Sequence, residues 1–182
     1  MSWRGRGAVE RFDRRIESAV DGLRGHPVAD RVFYAASELG DFGLVWLLLA
    51  SARSLRSSPT DERAALRVAV AAPLESVLVN GVVKSFFRRT RPPWDVVRPH
   101  RLRRPRSSSF PSGHASAAVT NAILLSEDDR WWPVYVLMAA TVASSRVYVK
   151  IHHPSDVIGG AALGLVLGLA GRKLMPLERT QA

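Results

Sequence analysis

The fold class follows from one apolar stretch near the end of the 182-residue chain, Val157-Ile-Gly-Gly160-Ala-Ala-Leu-Gly164-Leu-Val-Leu-Gly168-Leu-Ala170. Its glycines recur at every fourth position from Gly160, so they lie on one side of a helix. Small residues at this spacing let two helices approach closely, as helices in membranes often do. The stretch therefore predicts a membrane helix packed tightly against a neighbour.

Further apolar stretches come before it, at residues 32–52, 64–84, 112–126 and 131–145. None shows the alternation that is typical of a strand, so we predict an all-α fold. Several are shorter than the roughly 20 residues that a membrane span requires. The pair Trp131-Trp132 is nevertheless typical of a membrane interface. We predict a polytopic membrane helical bundle with about five spanning helices, and the alternative is a soluble helical bundle.

The N-terminal segment has a different character from the rest of the chain. Val9, Phe12 and Ile16 recur at helical spacing, and arginines occupy other positions of the same turns. This pattern predicts an amphipathic helix with a basic face, which either lies on an anionic bilayer or packs on the domain. We expect an N-terminal segment over 1–30, a membrane-embedded domain over 31–175 and a short tail over 176–182.

The chain is strongly basic, with a net charge of +10 from 26 Lys and Arg against 16 Asp and Glu. Such an excess indicates an anionic partner, which could be nucleic acid, a membrane surface or a substrate. The chain has no cysteine, which excludes disulfides and thiolate zinc sites.

The residues that could carry chemistry lie in three short strings: Lys84-Ser-Phe-Phe-Arg-Arg-Thr-Arg91-Pro92, Pro111-Ser112-Gly113-His114, and Ser145-Arg146 followed by His152 and Asp156. Lysine supplies a point charge and arginine a planar fork, and both bind phosphate oxygens. A Ser-Gly-His sequence that opens a helix offers free backbone N–H groups to an anion. We predict that the phosphate-binding residues are Lys84, Arg91, Ser112, Gly113 and Arg146.

Two histidines and one carboxylate complete a candidate catalytic set. His152 and Asp156 are four residues apart, so on a helix Asp156 can hold one ring nitrogen and direct the other at phosphorus. His114 is then free to protonate the departing oxygen. We interpret His153 as structural, because no carboxylate stands at the same offset from it.

Charged residues inside apolar stretches should face the interior of the bundle. We predict that Lys84 is functional and that Glu75 is its internal partner. Glu38 and Asp41 are interpreted as structural hydrogen-bonding residues.

The three strings together resemble the signature of the type 2 phosphatidic acid phosphatase superfamily, which includes bacterial acid phosphatases and vanadium haloperoxidases. Every constrained position of that signature is matched. The resemblance implies a helical-bundle phosphohydrolase without metal or cofactor. It also implies that His152 forms a phosphohistidine, that Asp156 supports it and that His114 acts as the acid.

The short, glycine-spaced helices resemble the membrane lipid-phosphatase branch of that superfamily. We predict a lipid-phosphate phosphatase, with decaprenylphosphoryl-5-phosphoribose as the first candidate substrate. Phosphatidylglycerophosphate, phosphatidic acid and undecaprenyl diphosphate remain alternatives. Two other readings are a vanadate-dependent haloperoxidase and a non-enzymatic basic protein of membrane surfaces or nucleic acid.

The arginine-rich loop before Pro111 adjoins the candidate site, so we predict that Arg103 and Arg104 bind a headgroup. The expected partners are a lipid phosphate and a membrane, without nucleic acid, and the oligomeric state is left open. With five spans, 18 of the 26 Lys and Arg fall on the side of the candidate site. The positive-inside rule then predicts a cell membrane protein whose active site faces the cytoplasm.

Overall fold

A computed structural model describes residues 5–93, 102 and 105–177 of the chain. Within that part, all regular secondary structure is helical, as the sequence predicts. The helices are α1 (Gly5–Asp21), α2 (Pro27–Leu39), α3 (Leu44–Ser54), α4 (Pro59–Ser76), α5 (Gly113–Ser126), α6 (Trp132–Tyr148) and α7 (Pro154–Leu174). Helix α4 continues through a π-helical segment, Val77–Val82, and a 3₁₀ turn, Val83–Phe86.

Helix α5 lies at the centre, and α7 runs along it in direct backbone contact. Gly160 and Gly164 of α7 are buried, and a Cβ atom on either would overlap the carbonyl oxygen of Ser112 or Ser116. A Cβ atom on Gly168 would meet the side chain of Ile123. The glycines predicted to favour close packing therefore set the distance between these two helices.

The hydrophobic core fills the space around α5. Trp46 of α3, Val68 of α4, Leu124 of α5 and Val142 of α6 are all buried and belong to one cluster. This packing holds the N-terminal end of α5 against the ends of α4 and α7, where the candidate site lies.

The apolar stretch over 32–52 is broken into two helices rather than forming one. Gly43 has a φ angle of 71°, in the left-handed region that glycine tolerates and other residues rarely adopt. Gly43 is the last residue of a 3₁₀ turn, Asp41–Gly43, and α2 and α3 meet at an angle of 78°. The bend brings Asp41 towards α5.

The opposite end of the bundle is closed by arginines that cap α5. Arg53 donates hydrogen bonds to the carbonyl oxygens of Leu125 at 2.5 Å and Glu127 at 3.1 Å. Arg67 donates to the Glu127 carboxylate at 2.5 Å. Cations at this position satisfy the last carbonyl groups of a helix and oppose its dipole.

Helix α1 packs on the bundle through polar residues. Asp13 is 3% exposed and contacts the start of α7, whereas Val9, Phe12 and Ile16 remain about two-fifths exposed. The amphipathic helix is thus present as predicted, docked by its acidic residues and with apolar side chains left uncovered.

Two helices are long and apolar enough to cross a membrane, Pro59–Phe86 with 28 residues and Pro154–Leu174 with 21. The bent pair of α2 and α3 would make a third span. Helices α5 and α6, with 14 and 17 residues, fall below the length used for this test. Helix length alone therefore supports two or three spans within the described residues.

Candidate active site

His152 lies in the turn before α7 and is held between a cation and a carboxylate. Its Nε2 atom is 3.1 Å from Nη1 of Arg91, and its Nδ1 atom is 3.6 Å from Oδ2 of Asp156. A guanidinium can only donate, so Nε2 accepts and the ring proton belongs on Nδ1, facing the carboxylate. This tautomer places the basic lone pair of the ring on Nε2, the atom that the sequence predicts to attack phosphorus.

Burial determines the charge of this ring. His152 is 3% exposed, and burial lowers its pKa to about 3. Asp156 opposes the shift, while the Arg91 and Arg146 guanidiniums reinforce it. The imidazole is therefore neutral at physiological pH, as a nucleophile must be.

Asp156 is fixed by several donors. Its Oδ2 atom accepts hydrogen bonds from the Ser109 hydroxyl at 2.5 Å and from the His153 backbone N–H at 2.9 Å. Its Oδ1 atom accepts from Nη1 of Arg89 at 2.7 Å. Ser109 and Arg89 were not predicted to belong to the site, and nothing in the sequence sets Arg89 apart from its neighbour Arg88.

The predicted cations converge on the same place. Lys84, at the end of the α4 continuation, lies within electrostatic range of Arg91, Arg146 and Asp156. Lys84 is 7% exposed and Arg146 is 2% exposed. Buried like charges repel one another, so a cluster of three cations is a site prepared for an anion.

Arg146 reaches this cluster from the end of α6. Its Nη1 atom donates to the Ser37 hydroxyl, and its carbonyl oxygen accepts from the backbone N–H of His152 at 3.1 Å. Its Nε atom is buried without a partner. Arg146 therefore both fixes the turn that carries His152 and retains one donor for a bound group.

The Pro-Ser-Gly-His string begins α5, as predicted, but its residues have different roles. The Ser112 hydroxyl caps the helix by accepting from the Ala115 N–H at 3.4 Å. The Ser112 N–H donates to the Asp156 carbonyl oxygen at 2.9 Å, which joins α5 to α7. At Gly113 a Cβ atom would lie 2.5 Å from Oδ1 of Asn80, so the Asn80 side chain would have to move if glycine were replaced.

His114 is paired with a residue that the sequence suggested was only structural. Its Nε2 atom is 2.8 Å from Oδ1 of Asp41, in the turn between α2 and α3. His114 also lies within electrostatic range of Lys84 and Arg146. The bend at residues 41–43 thus supplies a carboxylate that orients the second histidine, as Asp156 orients the first.

The cluster is tightly packed, and open space lies on either side of it. A depression of about 900 Å³ is lined by Arg91 and the loop residues around it. A cavity of about 400 Å³ is lined by Gly113, His114 and residues of α4 and α5. A bound phosphate group at the cluster could be reached from both.

Other residues singled out from the sequence lie outside the described residues or do not take part in the cation cluster. Arg103 and Arg104 lie outside the described residues. Glu75 is buried and within electrostatic range of Lys84, but its Oε1 atom makes no hydrogen bond. His153 binds Glu17 of α1 at 2.7 Å, which agrees with a structural role. No group of three or more His, Asp or Glu is arranged for a metal ion among the residues that the structure describes.

Comparison with known proteins identifies a family and several relatives that this chain resembles. The PAP2 superfamily matches residues 64–179. Decaprenylphosphoryl-5-phosphoribose phosphatase of Mycobacterium tuberculosis is 31% identical over 132 residues, which is 72% of each chain. Undecaprenyl-diphosphatase of Sulfolobus acidocaldarius is 38% identical over 91 residues, and the match spans 48% of this chain and 44% of that relative.

The fold also matches a solved structure. The transmembrane PAP2 type phosphatidylglycerolphosphate phosphatase from Bacillus subtilis superposes with a TM-score of 0.67 at 25% identity. The superposition covers 96% of this chain and 90% of the other. The bundle and its likeness to a transmembrane protein agree with the prediction of a membrane protein.

Proposed function

Because the chain belongs to the PAP2 superfamily, we propose that it is a membrane phosphatase that hydrolyses a lipid phosphate through a covalent phosphohistidine. One observation carries the proposal. The neutral, buried His152 stands 3.1 Å from Arg91 and 3.6 Å from Asp156, beside a cluster of cations. These are the nucleophile, the electrostatic clamp and the orienting carboxylate that phosphoryl transfer requires.

In the first step, a phosphate oxygen of the substrate accepts the hydrogen bond that Nη1 of Arg91 donates to His152 in the free protein. Nε2 of His152 then forms a bond to phosphorus as the bond from phosphorus to the ester oxygen breaks. Asp156 stabilises the positive ring through Nδ1–H, and Lys84 and Arg146 balance the charge on the phosphoryl oxygens. His114 enters this step as the imidazolium, supported by Asp41 and the anionic substrate, and gives its proton to the departing oxygen, which leaves as an alcohol.

In the second step, water attacks the phosphohistidine. His114, now neutral, takes a proton from that water, and the bond between phosphorus and Nε2 breaks. Inorganic phosphate is released, and both histidines return to their starting states. Asp41 holds His114 in place for both proton transfers.

A polyprenyl-linked sugar phosphate such as decaprenylphosphoryl-5-phosphoribose is the proposed substrate. The mycobacterial phosphatase of that name matches over 72% of both chains, which supports this choice. Phosphatidylglycerophosphate, phosphatidic acid and undecaprenyl diphosphate are the alternatives that a substrate panel must include.

For the membrane arrangement we propose five crossings: the bent pair α2–α3, the extended α4, α5, α6 and α7. The membrane-embedded domain is then residues 31–175, with α1 at the surface and 176–182 as a tail. The excess of Lys and Arg on the side of the site supports a cytoplasmic active site in the cell membrane. Reporter fusions at residues 1 and 182 test this orientation, and an N-terminus outside the cytoplasm would overturn it.

The direct test of function is phosphate release from a panel of lipid mono- and diphosphates by the purified full-length protein in detergent. Substrate labelled with ³²P, quenched in alkali, should leave acid-labile label on the protein. Label that is absent, or that survives acid, would contradict a phosphohistidine.

A further inference from the structure

The cavity beside His114 has a polar lining that the proposed mechanism does not use. It occupies about 400 Å³ between α3, α4 and α5, and most of its wall is formed by glycine, alanine and other small residues. Glu75, Ser76, Asn80 and Asn121 add polar groups to that wall. A small concave site with a few polar groups is the usual form of a specificity pocket.

Two of these polar groups are buried acceptors without a partner. Glu75 is 5% exposed, and its Oε1 atom makes no hydrogen bond. Asn121 is fully buried, and its Oδ1 atom is also unpartnered. Its amide nitrogen donates to the Ala117 carbonyl oxygen at 2.8 Å, which fixes the orientation of the side chain.

A rotation of nearby side chains would not satisfy all of these acceptors. The Ser116 hydroxyl lies close to Glu75 and can donate to its Oε1 atom. The Asn121 oxygen would still lack a donor. A buried acceptor left unpaired is costly, so this oxygen indicates a ligand that brings a hydroxyl group.

The position of the cavity indicates which part of the substrate would bind in it. His114 lines it and is the proposed proton donor to the departing oxygen. The group attached to that oxygen must therefore lie on the His114 side of the phosphate. This placement of the leaving group rests on the proposed function.

We propose that the cavity binds the leaving-group alcohol and that Glu75 and Asn121 accept hydrogen bonds from its free hydroxyl groups. The enzyme then prefers a lipid phosphate whose phosphorylated headgroup is a sugar or glycerol. A lipid diphosphate fits poorly, because its second phosphate offers no hydroxyl group to the unpaired Asn121 oxygen and would bring negative charge next to the Glu75 carboxylate. Diacylglycerol phosphate fits poorly too, because its glycerol hydroxyls are esterified.

A pair of matched substrates gives the sharpest test. Phosphatidylglycerophosphate is compared with its analogue that lacks only the free glycerol hydroxyl, using wild-type protein in detergent. Losing one donor to a buried acceptor should lower kcat/KM by about tenfold to a hundredfold. Equal kcat/KM for the two substrates would overturn the proposal.

Substitutions test whether Glu75 and Asn121 cause the preference for the substrate with the free hydroxyl group. Asn121→Leu and Glu75→Leu should each reduce that preference about tenfold. Glu75→Gln keeps an acceptor and should retain most of the preference. Glu38→Gln, at an exposed glutamate, is the matched control. An equal loss on both substrates would mean a structural role and would overturn the assignment.

The outcomes separate this inference from the proposed function. Phosphate release from both substrates without a hydroxyl preference overturns the pocket assignment alone. No phosphate release from any lipid, and no phosphoenzyme, overturns both. The wild-type comparison needs no substitution, so it decides the matter even if a leucine variant does not fold.

Discussion

Arg89 donates a hydrogen bond from Nη1 to Oδ1 of Asp156 at 2.7 Å. Its Nη2 atom donates to Oδ2 of Asp13 at 2.6 Å, so one guanidinium joins α1 to the carboxylate behind His152. Asp13 also accepts from the backbone N–H of Ser155 at 2.8 Å. The N-terminal helix is thereby part of the support for the nucleophile.

Arg89→Lys should lower kcat while leaving KM almost unchanged. A lysine cannot reach both carboxylates with a fixed fork, so Asp156 and His152 lose their alignment, which costs roughly tenfold to a hundredfold in rate. Steady-state kinetics and the rate of phosphoenzyme formation measure this. Arg88→Lys, at an exposed neighbouring arginine, is the control and should behave as wild type. If Arg89→Lys only reduces the amount of folded protein, and the folded molecules turn over at the wild-type rate, a positioning role is ruled out.

His152→Ala should abolish phosphoenzyme formation with every substrate, because the attacking atom is gone. His114→Ala should slow the reaction of an alkyl ester by about 10²–10⁴-fold, the usual contribution of a general acid. With a nitrophenyl leaving group, which departs without a proton, His114→Ala should phosphorylate at close to the wild-type rate. Rapid-quench measurement of labelled enzyme distinguishes the two roles. If both variants respond alike to the better leaving group, the assignment of acid and nucleophile is wrong.

His152 should also make stability depend on pH. Its pKa is about 3 in the folded protein, because of burial, and near the ordinary value of 6.5 when unfolded. Between these values the unfolded chain binds a proton that the folded chain does not. Stability therefore falls as pH drops from about 6.5 towards 3, by at most about 1.4 kcal/mol per pH unit from this group.

The measurement is the thermal midpoint of unfolding in detergent, in phosphate-free buffer between pH 7.5 and 4.5. His152→Gln should lose less stability than wild type over that range. Identical curves for the two proteins would show that the ring is not held neutral.

Gly160→Ala should destabilise the protein and impair activity together. The added methyl group overlaps the Ser112 carbonyl oxygen, so α7 must move away from the start of α5. Overpacking of this kind costs about 1–3 kcal/mol. Gly81→Ala is a suitable control, because a Cβ atom there has no neighbour within 4 Å. Thermal unfolding and kcat measure the effect, and a Gly160→Ala variant as stable and active as Gly81→Ala would contradict it.

The family and the class of reaction could be predicted from the sequence, because three strings of residues keep fixed chemistry at fixed spacing. The match to the PAP2 superfamily over residues 64–179 confirms the family, and with it a phosphoric ester hydrolase. The all-helical fold is confirmed as well. The glycine spacing from Gly160 correctly predicts close packing, since that spacing has one geometric meaning on a helix.

The supporting residues could not be predicted in the same way. Asp41 meets His114 only because the chain bends at Gly43, and the turn residues around Gly43 do not show which distant side chain the bend will meet. Arg89 and Asp13 are ordinary charged residues in basic and amphipathic segments, and their pairing depends on how α1 docks. Long-range contacts of this kind are a property of the folded chain rather than of local pattern.

The backbone contact between α5 and α7 has a mechanical consequence. With Gly160 and Gly164 seated against the carbonyl oxygens of Ser112 and Ser116, neither helix can slide or rotate without a clash. The pair therefore behaves as one stiff unit that keeps His152, before α7, in register with Ser112 and Gly113 at the start of α5. A movement that admits a lipid from the bilayer should therefore involve the other helices of the bundle rather than a sliding of α7 on α5.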